Sequence, residues 1–207
     1  SMNSWKHAWT RGTTSSQNKK PNTQSNGTMT KKDELRRQFR HRRSTAGDLE
    51  VLIQNQVRTI LRRVGTGTVG LYWPLAGEVN LLSLCQGLEA RVALPRADGC
   101  GHLDYLVWCG NDLEPDGCRI PAPATGIPLK PDQLNLLMIP ALSVDTQGYR
   151  LGYGGGYYDR LRADPAWAEI PAWAVLPSCC LSREPLPSDD WDIPVHGWVT
   201  EMGPGRP

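Results

Sequence analysis

The sequence predicts an α/β protein built on a mainly parallel sheet, and two observations support this fold class. From Thr68 to Thr200, short apolar segments alternate with polar or amphipathic ones, as expected for strands that alternate with helices. The most apolar segment, 134–145, lacks the polar alternation of a half-exposed strand and fits one buried on both faces. A chain of 207 residues is long enough to bury a core as one domain.

Residues 1–28 differ from the rest of the chain in composition. They are rich in Ser, Thr, Asn and Gly without apolar periodicity, so we expect a poorly ordered polar extension before a single domain at 29–207. No stretch is long and apolar enough for a membrane helix, and no signal peptide opens the chain. We therefore expect a cytoplasmic protein without a membrane partner.

Two helices are expected first. Thr30 is a good N-cap residue, and Asp33 and Glu34 place negative charge in the first helical turn. A second helix is predicted at about 48–64, ended by Gly65. Its predicted buried stripe consists of Leu49, Ile53, Val57, Ile60, Leu61 and Val64.

Strands and further helices alternate through the rest of the chain. We expect strands at 68–73, 92–96, 103–108, 134–145, 172–177 and 196–200. An amphipathic helix is expected at 78–91, and another begins within 157–167. Prolines make 109–133 a turn-rich stretch without long regular structure.

Positive charge is concentrated near the N-terminus. Residues 1–43 hold eleven Lys and Arg side chains against two acidic ones, whereas the remainder is net negative. On the first predicted helix, Lys32, Arg36 and Arg40 share one face, where three cations repel each other unless an anion binds there. A bound triphosphate, a solvated basic face and a nucleic-acid-binding arm are all compatible with this spacing.

A glycine-rich loop, RLGYGGGYYDR (150–160), follows the most apolar predicted strand. In parallel sheets, ligands bind at the carboxyl ends of strands, where backbone N–H groups can hold an anion. The loop matches neither a Walker P-loop nor a dinucleotide-binding motif, and a tight turn is the structural alternative. Arg150 suits a phosphate clamp and Asp159 suits a Mg²⁺ ligand, although each could also belong to a surface ion pair.

Two further groups of residues are candidates for a site. Glu78 follows the first predicted strand, where its carboxylate could bind a heterocycle beside Tyr72 or Trp73; alternatively, it stabilises a helix N-terminus. The C-terminal segment carries three acidic residues, Asp189, Asp190 and Asp192. They could complete a metal site, but spacing alone does not choose among them.

The six cysteines favour free thiols over a metal centre. None forms a Cys-x-x-Cys pair. Cys100, Cys109 and Cys118 recur every nine residues near His102, but this is not a zinc-ligand spacing. We expect reduced cysteines.

Taken together, these motifs resemble the 5-formyltetrahydrofolate cyclo-ligase family over about 31–201. In chain order they are K-x-x-L-R at 32–36, Y-x-P-x-x-x-E at 72–78, D-x-x-G-x-R at 145–150 with the glycine loop, and D-I-P at 192–194. The glycine loop with its upstream motif is highly specific, and the others are moderately so. The resemblance implies a three-layer α/β/α fold.

The resemblance also implies a reaction. This is the ATP- and Mg²⁺-dependent conversion of 5-formyltetrahydrofolate to 5,10-methenyltetrahydrofolate, with ADP and phosphate as the other products. The formyl oxygen would take the γ-phosphoryl group, N10 would attack the activated carbon, and phosphate would leave as the ring closes. We expect a monomer that binds ATP and the folate, with no nucleic-acid partner.

Site residues are implied by similarity, motif by motif. The implied ATP-binding residues are Lys32, Arg36, Arg150, Leu151, Gly152, Tyr153, Gly154, Gly155, Gly156, Tyr157 and Tyr158. The implied folate-binding residues are Trp73, Glu78, Tyr153, Gly154, Gly155, Gly156 and Tyr157. Lys32 and Arg150 are the implied catalytic residues, and Asp159 and Asp192 are the implied Mg²⁺ ligands.

Three positions depart from the family pattern. Ala122 stands where a glutamate is frequent, Trp191 where a histidine is common, and His196 where an aspartate is usual. They concern the folate end and the second metal ligand. One alternative is therefore a relative that binds both ligands without turnover. The alternative from another class is a nucleic-acid-binding protein that uses the basic segment 1–43.

Overall fold

A seven-stranded sheet forms the centre of the structure, a computed structural model that describes residues 29–110 and 112–207. The predicted polar extension, 1–28, lies outside the described residues. The strands of the central sheet are β1 (Thr68–Gly70), β2 (Arg91–Ala97), β3 (Leu103–Trp108), β6 (Leu136–Pro140), β9 (Ala172–Val175), β11 (Gly197–Thr200) and β12 (Gly203–Gly205). Two small sheets contain β4 (Leu113–Pro115), β5 (Pro121–Pro123), β7 (Ser143–Asp145), β8 (Arg150–Leu151) and β10 (Leu181–Ser182).

The order of the central sheet is β12-β11-β9-β6-β1-β2-β3. Its five inner strands are parallel, with pairs such as Val69 with Val92 and Ile139 with Ala174. Only the edge strands β3 and β12 run antiparallel to their neighbours. The prediction of a mainly parallel sheet is therefore confirmed.

Helices cover both faces of this sheet. They are α1 (Lys31–Ser44), α2 (Glu50–Leu61), α3 (Tyr157–Arg162) and α4 (Pro165–Ala168). Along β6, Met138 packs in one hydrophobic cluster and its neighbour Ile139 in the other, because successive strand residues face opposite sides. The first cluster contains Val57 of α2, and the second contains Phe39 of α1 and Leu161 of α3. The three-layer α/β/α expectation is confirmed.

The first two helices match their sequence signals. The Thr30 hydroxyl accepts a hydrogen bond from the Asp33 amide (3.2 Å), which caps α1 as predicted. Helix α2 buries Ile53, Val57 and Leu61 and continues into a 3₁₀ turn at Arg62–Val64. Gly65, with a φ of 62°, then ends it.

Two predicted elements are wrong in extent. Segment 78–91 contains no α-helix: it holds a 3₁₀ turn, Leu82–Leu84, and the first residue of β2, because the Asn80 side chain binds the Leu82 amide and Gly87 has a φ of 83°. Segment 134–145 is not one strand, since β6 ends at Pro140 and β7 belongs to another sheet.

The predicted helix within 157–167 is interrupted. Helix α3 ends at Arg162, and the Asp164 side chain caps α4 by accepting a hydrogen bond from the Ala166 amide (2.9 Å). Pro165 at the first position of α4 favours this second start. The described residues contain no helix long and apolar enough to cross a membrane.

Candidate active site

The candidate site lies at the carboxyl ends of the parallel strands, where the glycine loop (150–156) meets helix α1. The Arg150 guanidinium donates to the carbonyl oxygen of Pro140, the last residue of β6 (3.1 Å). Arg43 of α1 donates to the carbonyl of the next residue, Ala141. This is the edge of a parallel sheet at which ligands usually bind.

The glycine loop forms a wall between two concave surfaces. Gly152 and Gly154 line one surface, whereas Tyr153 between them lines the other. A Cβ at Gly152 would lie 2.9 Å from Arg150 Nη1, so a side chain there would displace the guanidinium. Gly154 has a φ of 107°, a conformation that other residues rarely adopt. The glycines therefore bring the backbone close to an arginine.

Two arginines hold this wall in place. Arg36 Nε donates to the Gly152 carbonyl (3.0 Å), and Arg160 Nη2 donates to the Gly155 carbonyl (2.5 Å). Arg160 also reaches the Gly101 carbonyl (3.0 Å), which ties the loop to the end of the β2–β3 hairpin. The loop is thus fixed by side chains from both of its sides.

The first surface, here called the cationic cleft, has a volume of about 200 Å³. Its lining residues are Lys32, Arg36, Arg150, Leu151, Gly152, Gly154, Gly156, Asp159, Arg160, Pro187, Asp189, Trp191 and Asp192. Four cations and three carboxylates therefore converge there. Most of the predicted ATP-binding residues and both predicted metal ligands lie in this one cleft.

Charged groups of the cleft are paired with one another. Arg150 Nη2 donates to Asp159 Oδ1 (2.6 Å), and Lys32 Nζ donates to Asp189 Oδ2 (2.6 Å). The Arg150 side chain is only 7% exposed and also lies 5.4 Å from the centre of the Tyr158 ring. The predicted phosphate clamp and the predicted metal ligand thus neutralise each other in this structure.

A buried arginine, Arg162, fastens the C-terminal segment that closes the cleft. Its guanidinium donates to the carbonyls of Ile193 (2.9 Å) and Pro194 (3.0 Å). The pKa of Arg162 is lowered to about 10, mainly by burial and also by the nearby Arg150 cation. Sequence reasoning missed Arg162, although its position three residues after Asp159 on one helix was a possible signal.

The cleft suits a hard divalent cation only together with a phosphate ligand. Asp159 and Asp192 supply carboxylate oxygens beside the cations, the donor type that Mg²⁺ prefers. No group of three or more acidic, histidine or cysteine side chains in the described part of the chain is arranged to hold a metal. The donor set thus fits an ion that also takes phosphate oxygens, as Mg²⁺ does with nucleotides.

The second surface, here called the Glu78 cavity, has a volume of about 470 Å³, within the usual range of small-molecule sites. Its lining residues are Arg40, Arg43, Ser44, Gly47, Asp48, Leu49, Glu50, Ile53, Ala76, Gly77, Glu78, Val79, Leu142, Tyr153 and Pro177. Helix α1 contributes cations to both surfaces: Lys32 and Arg36 to the cleft, Arg40 and Arg43 to the cavity.

Glu78 is half-buried at this cavity, and one oxygen of its carboxylate, Oε1, is fully buried. Its Oε2 accepts a hydrogen bond from the Leu75 amide (2.8 Å), but its buried Oε1 has no hydrogen-bond partner among the described residues. Burial raises the pKa of Glu78, although hydrogen bonds with the Leu75 amide and the Tyr153 hydroxyl and the positive charge of Arg43 oppose this rise. A buried acceptor without a partner destabilises the unliganded protein and suits a donor-bearing ligand.

Arg43 is the second group that faces the cavity, and sequence reasoning did not assign it to the site. Its Nη1 donates to the Tyr153 hydroxyl (2.6 Å), while its buried Nε has no partner among the described residues. Arg43 lies three residues after Arg40, so it follows the face that Lys32 and Arg36 begin. Two residues that line the cavity thus each hold a buried polar atom, one an acceptor and one a donor, without a hydrogen-bond partner among the described residues.

Some predicted residues line neither surface. Trp73 packs against the hydrophobic cluster on the α2 side of the sheet, and Gly155 lies in the loop without lining a cavity. The Tyr157 hydroxyl accepts a hydrogen bond from Cys118 Sγ (3.1 Å), and the Tyr158 ring lies beside Arg150. The two tyrosines lie beside the site without lining either surface, and their roles in ligand binding stay predictions.

The three departures from the family pattern fall at different places. Ala122 is buried in the small β4–β5 hairpin and lines neither surface. His196 Nδ1 accepts a hydrogen bond from the Ala172 amide (3.1 Å), so this side chain has a structural partner. Trp191 lines the cationic cleft with 63% of its surface exposed. Only Trp191 of the three lies at a candidate site surface.

Comparison with known proteins gives a consistent result. Residues 28–201 match the model of the 5-formyltetrahydrofolate cyclo-ligase family. A 5-formyltetrahydrofolate cyclo-ligase of Escherichia coli (strain K12) is 38% identical over 142 residues, which are 64% of this chain and 77% of the relative.

Solved structures agree with the fold. The Aquifex aeolicus 5,10-methenyltetrahydrofolate synthetase, 30% identical, superposes with a TM-score of 0.70 over 84% of this chain and 92% of that one. A Mycoplasma pneumoniae 5,10-methenyltetrahydrofolate synthetase, 19% identical, shares the fold with a TM-score of 0.66. With a family match that spans most of its length, the chain belongs to the 5-formyltetrahydrofolate cyclo-ligase family.

Proposed function

We propose that the chain converts 5-formyltetrahydrofolate to 5,10-methenyltetrahydrofolate at the expense of ATP, as its family membership indicates. The formyl oxygen takes the γ-phosphoryl group from ATP, which leaves ADP. N10 of the folate then attacks the activated carbon, and phosphate departs as the new ring closes. Such a reaction asks the protein mainly to position two substrates and to neutralise phosphate charge.

One observation carries the proposal: the glycine loop separates a cationic cleft from a cavity with unsatisfied polar groups. A phosphoryl donor in the cleft and a folate in the cavity would meet across three residues, 152–154. The loop would then contact both substrates, which accounts for its small side chains and for Tyr153 on the folate side.

In the cationic cleft, Lys32, Arg36 and Arg150 would bind the phosphates of ATP. Each already has an oxygen partner in the structure, so binding replaces carboxylate or carbonyl oxygens by phosphate oxygens. Arg150 and Lys32 would stabilise negative charge that develops during transfer, the role that matters for rate. Arg150 is pre-positioned by the Pro140 carbonyl, so little reorganisation is needed.

Asp159 and Asp192 would hold Mg²⁺ together with phosphate oxygens. When bound, the ion supplies positive charge to the transferring phosphoryl group. If phosphate replaces Asp159 as the partner of Arg150, the Asp159 carboxylate becomes free for the metal. The ion pair would then be exchanged for two ligand contacts.

In the Glu78 cavity, Glu78 and Arg43 would bind polar edges of the folate. Glu78 Oε1 can accept from an N–H group and Arg43 Nε can donate to a carbonyl or ring nitrogen, the two bond types that a pterin offers. Both atoms lack partners in the unliganded protein, so their hydrogen bonds would strongly favour a matching ligand.

The test is formation of the methenyl chromophore. Purified protein mixed with 5-formyltetrahydrofolate, ATP and Mg²⁺ should show rising near-ultraviolet absorbance and release one ADP for each methenyl product. Lys32→Ala should lower kcat/KM by about tenfold or more, the usual effect of one charged contact.

Lys31→Ala is the matched control, because Lys31 precedes Lys32 on the same helix but is exposed and lies outside both surfaces. Absence of ATP-dependent turnover by the wild-type protein would refute the proposal. Calorimetric binding of both ATP and the folate without product would instead identify a catalytically silent relative.

A further inference from the structure

Two consecutive cysteines lie against the end of helix α1, outside the lining of either site surface. Cys179 and Cys180 belong to the 3₁₀ turn Ser178–Cys180, which follows strand β9, and their sulfur atoms are 3.9 Å apart. Pro177, directly before this turn, lines the Glu78 cavity. The pair is therefore connected to the cavity through the chain itself.

The two thiols have different surroundings. Cys180 is fully buried, and its Sγ faces the Phe39 carbonyl of α1 (3.9 Å). Cys179 is exposed, and its Sγ faces the Arg42 carbonyl (3.7 Å). A small reagent can thus reach Cys179, with Cys180 behind it as the resolving partner.

Arg43 links the pair to the Glu78 cavity. Burial raises the pKa of the Cys180 thiol to about 11, and the nearby Arg43 cation opposes this rise. The same guanidinium donates to the Tyr153 hydroxyl (2.6 Å) and lines the cavity. The Cys179 sulfur faces the carbonyl of Arg42, the residue directly before Arg43 (3.7 Å), so movement of the cysteine pair reaches the turn of α1 that carries a cavity residue.

We propose that Cys179 and Cys180 form a thiol–disulfide exchange site, whose oxidation to a vicinal disulfide weakens ligand binding in the Glu78 cavity through Arg43. The oxidant is a small-molecule disulfide. The effect on folate binding rests on the proposed function, whereas formation of the disulfide does not.

The reaction balances as a thiol–disulfide exchange. The Cys179 thiol loses its proton and attacks the oxidant, which forms a mixed disulfide and releases one thiolate of the oxidant. The Cys180 thiol then loses its proton and attacks the Cys179 sulfur, which forms the bond between the two cysteines and expels the second thiolate. The protein loses two hydrogen atoms, and the oxidant is reduced to two thiols.

Geometry makes this disulfide reversible. Closing the bond requires the sulfur atoms to approach from 3.9 Å to about 2.05 Å. Adjacent Cα atoms are about 3.8 Å apart, less than the usual separation across a disulfide. The resulting strain raises the reduction potential, so mild thiols restore the dithiol.

The consequence follows from contacts that must be lost. As the sulfur atoms approach each other, Cys180 Sγ leaves the Phe39 carbonyl and Arg43, and Cys179 Sγ leaves the Arg42 carbonyl. The last turns of α1 then lose contacts with Cys179 and Cys180, and Arg43 loses the Cys180 sulfur as a neighbour. Binding of the folate should weaken, whereas Lys32 and Arg36, earlier on α1, keep their cleft positions.

The experiment uses the full chain with oxidised glutathione as the oxidant. Peptide mapping should show loss of two hydrogen atoms on the peptide that contains Cys179 and Cys180. The KM for 5-formyltetrahydrofolate should rise by about tenfold while the KM for ATP stays unchanged, since a charged contact is lost on one side only. Dithiothreitol should restore the original KM.

Cys179→Ser and Cys180→Ala should each abolish the disulfide and make the folate KM insensitive to the oxidant. Cys100→Ser, at another exposed cysteine, should respond like the wild type. Hydrogen exchange of the α1 amides at 39–45 gives a readout that needs no substrate, and we expect faster exchange after oxidation.

The proposal is refuted if no disulfide maps to 179–180, or if the disulfide forms and the folate KM of an active enzyme does not rise. A reduced enzyme without folate binding or turnover would refute the proposed function instead. In that case, disulfide mapping and α1 exchange still decide the proposal.

Discussion

The two surfaces on either side of the glycine loop differ in how their polar groups are satisfied. In the cationic cleft, Arg150 is paired with Asp159 and Lys32 with Asp189. In the Glu78 cavity, Arg43 Nε and Glu78 Oε1 are buried without partners among the described residues. The charged groups of the cleft are thus paired within the protein, whereas two buried polar atoms of cavity residues are not.

This difference indicates how each surface would respond to its substrate. Under the proposed function, the cleft would exchange internal partners for phosphate and metal, so its ligand would compete with carboxylates. In the cavity, Glu78 Oε1 and Arg43 Nε have no hydrogen-bond partner among the described residues, so the unliganded protein carries their desolvation cost. Proteins often accept a destabilising cost of this kind at a binding site, where the same groups are needed to bind the ligand.

The largest effect is expected when the cleft loses its buried cation. Arg150→Ala should lower kcat/KM by about 10²- to 10³-fold, the usual loss when one group that stabilises transition-state charge is removed. Arg150→Lys should recover part of the activity, because it keeps the charge but not the two-pronged geometry. Steady-state kinetics with ATP and the folate varied separately provides the measurement.

Arg63→Ala is the matched control, since Arg63 is exposed in the 3₁₀ turn that follows α2 and lines neither surface. Thermal unfolding of each variant separates catalysis from stability. Wild-type rates in Arg150→Ala would show that the cleft does not bind the phosphates of ATP.

A substitution in the Glu78 cavity should have a smaller effect on activity, and it should raise stability rather than lower it. Glu78→Gln should raise the free energy of unfolding of the unliganded protein at neutral pH, because it removes a buried charge. It should also raise the folate KM by about 10- to 100-fold, since a charged hydrogen-bond acceptor is lost. The cleft should be unaffected, so the KM for ATP stays constant.

The pH dependence follows from the raised pKa of Glu78. Because the folded protein holds this proton more tightly than the unfolded chain, the wild type loses stability as pH rises from the ordinary value of 4.5 through the folded pKa. The stabilising effect of Glu78→Gln should therefore be largest at neutral pH and shrink as pH falls towards 4.5. Glu89→Gln, at an exposed position that lines neither surface, is the matched control for the change of residue type.

Sequence signals that act locally predicted the fold well. Three local signals correspond to features of the structure: the N-cap at Thr30, the helix end at Gly65 and the apolar segment 134–145, which contains two strands instead of one. The helix predicted at 78–91 was wrong, because Asn80 and Gly87 favour turns that a hydrophobic pattern does not reveal. Local chemistry overrode periodicity in that segment.

Contacts between segments that are distant in the sequence could not be predicted. The sequence placed Lys32, Arg150 and Asp159 in one site only through motif resemblance, and the structure brings them to one cleft. Nothing in the sequence indicated that Arg162 binds the carbonyls at 193 and 194, or that Arg43 binds Tyr153. Such pairings depend on how the chain crosses the sheet, which residue spacing does not encode.

The smallest effect on ligand binding is expected from a substitution in the glycine loop, at Tyr153. Tyr153→Phe removes the hydroxyl that accepts from Arg43 but keeps the ring, so the loop and the Arg40 contact with that ring are retained. Loss of this hydrogen bond, worth about 1 kcal/mol, should raise the folate KM by about fivefold. The KM for ATP should not change, because Tyr153 lines only the cavity.

A double-mutant cycle uses this small effect to test whether the cationic cleft and the Glu78 cavity act as separate binding surfaces. Tyr153→Phe and Arg43→Met together should cost less than the sum of the single variants, because both remove one hydrogen bond. Tyr149→Phe is the control, at a tyrosine that lines neither surface. An equal rise in the two KM values for Tyr153→Phe would contradict the division of the site, since the loop would then transmit a change on one side to the other.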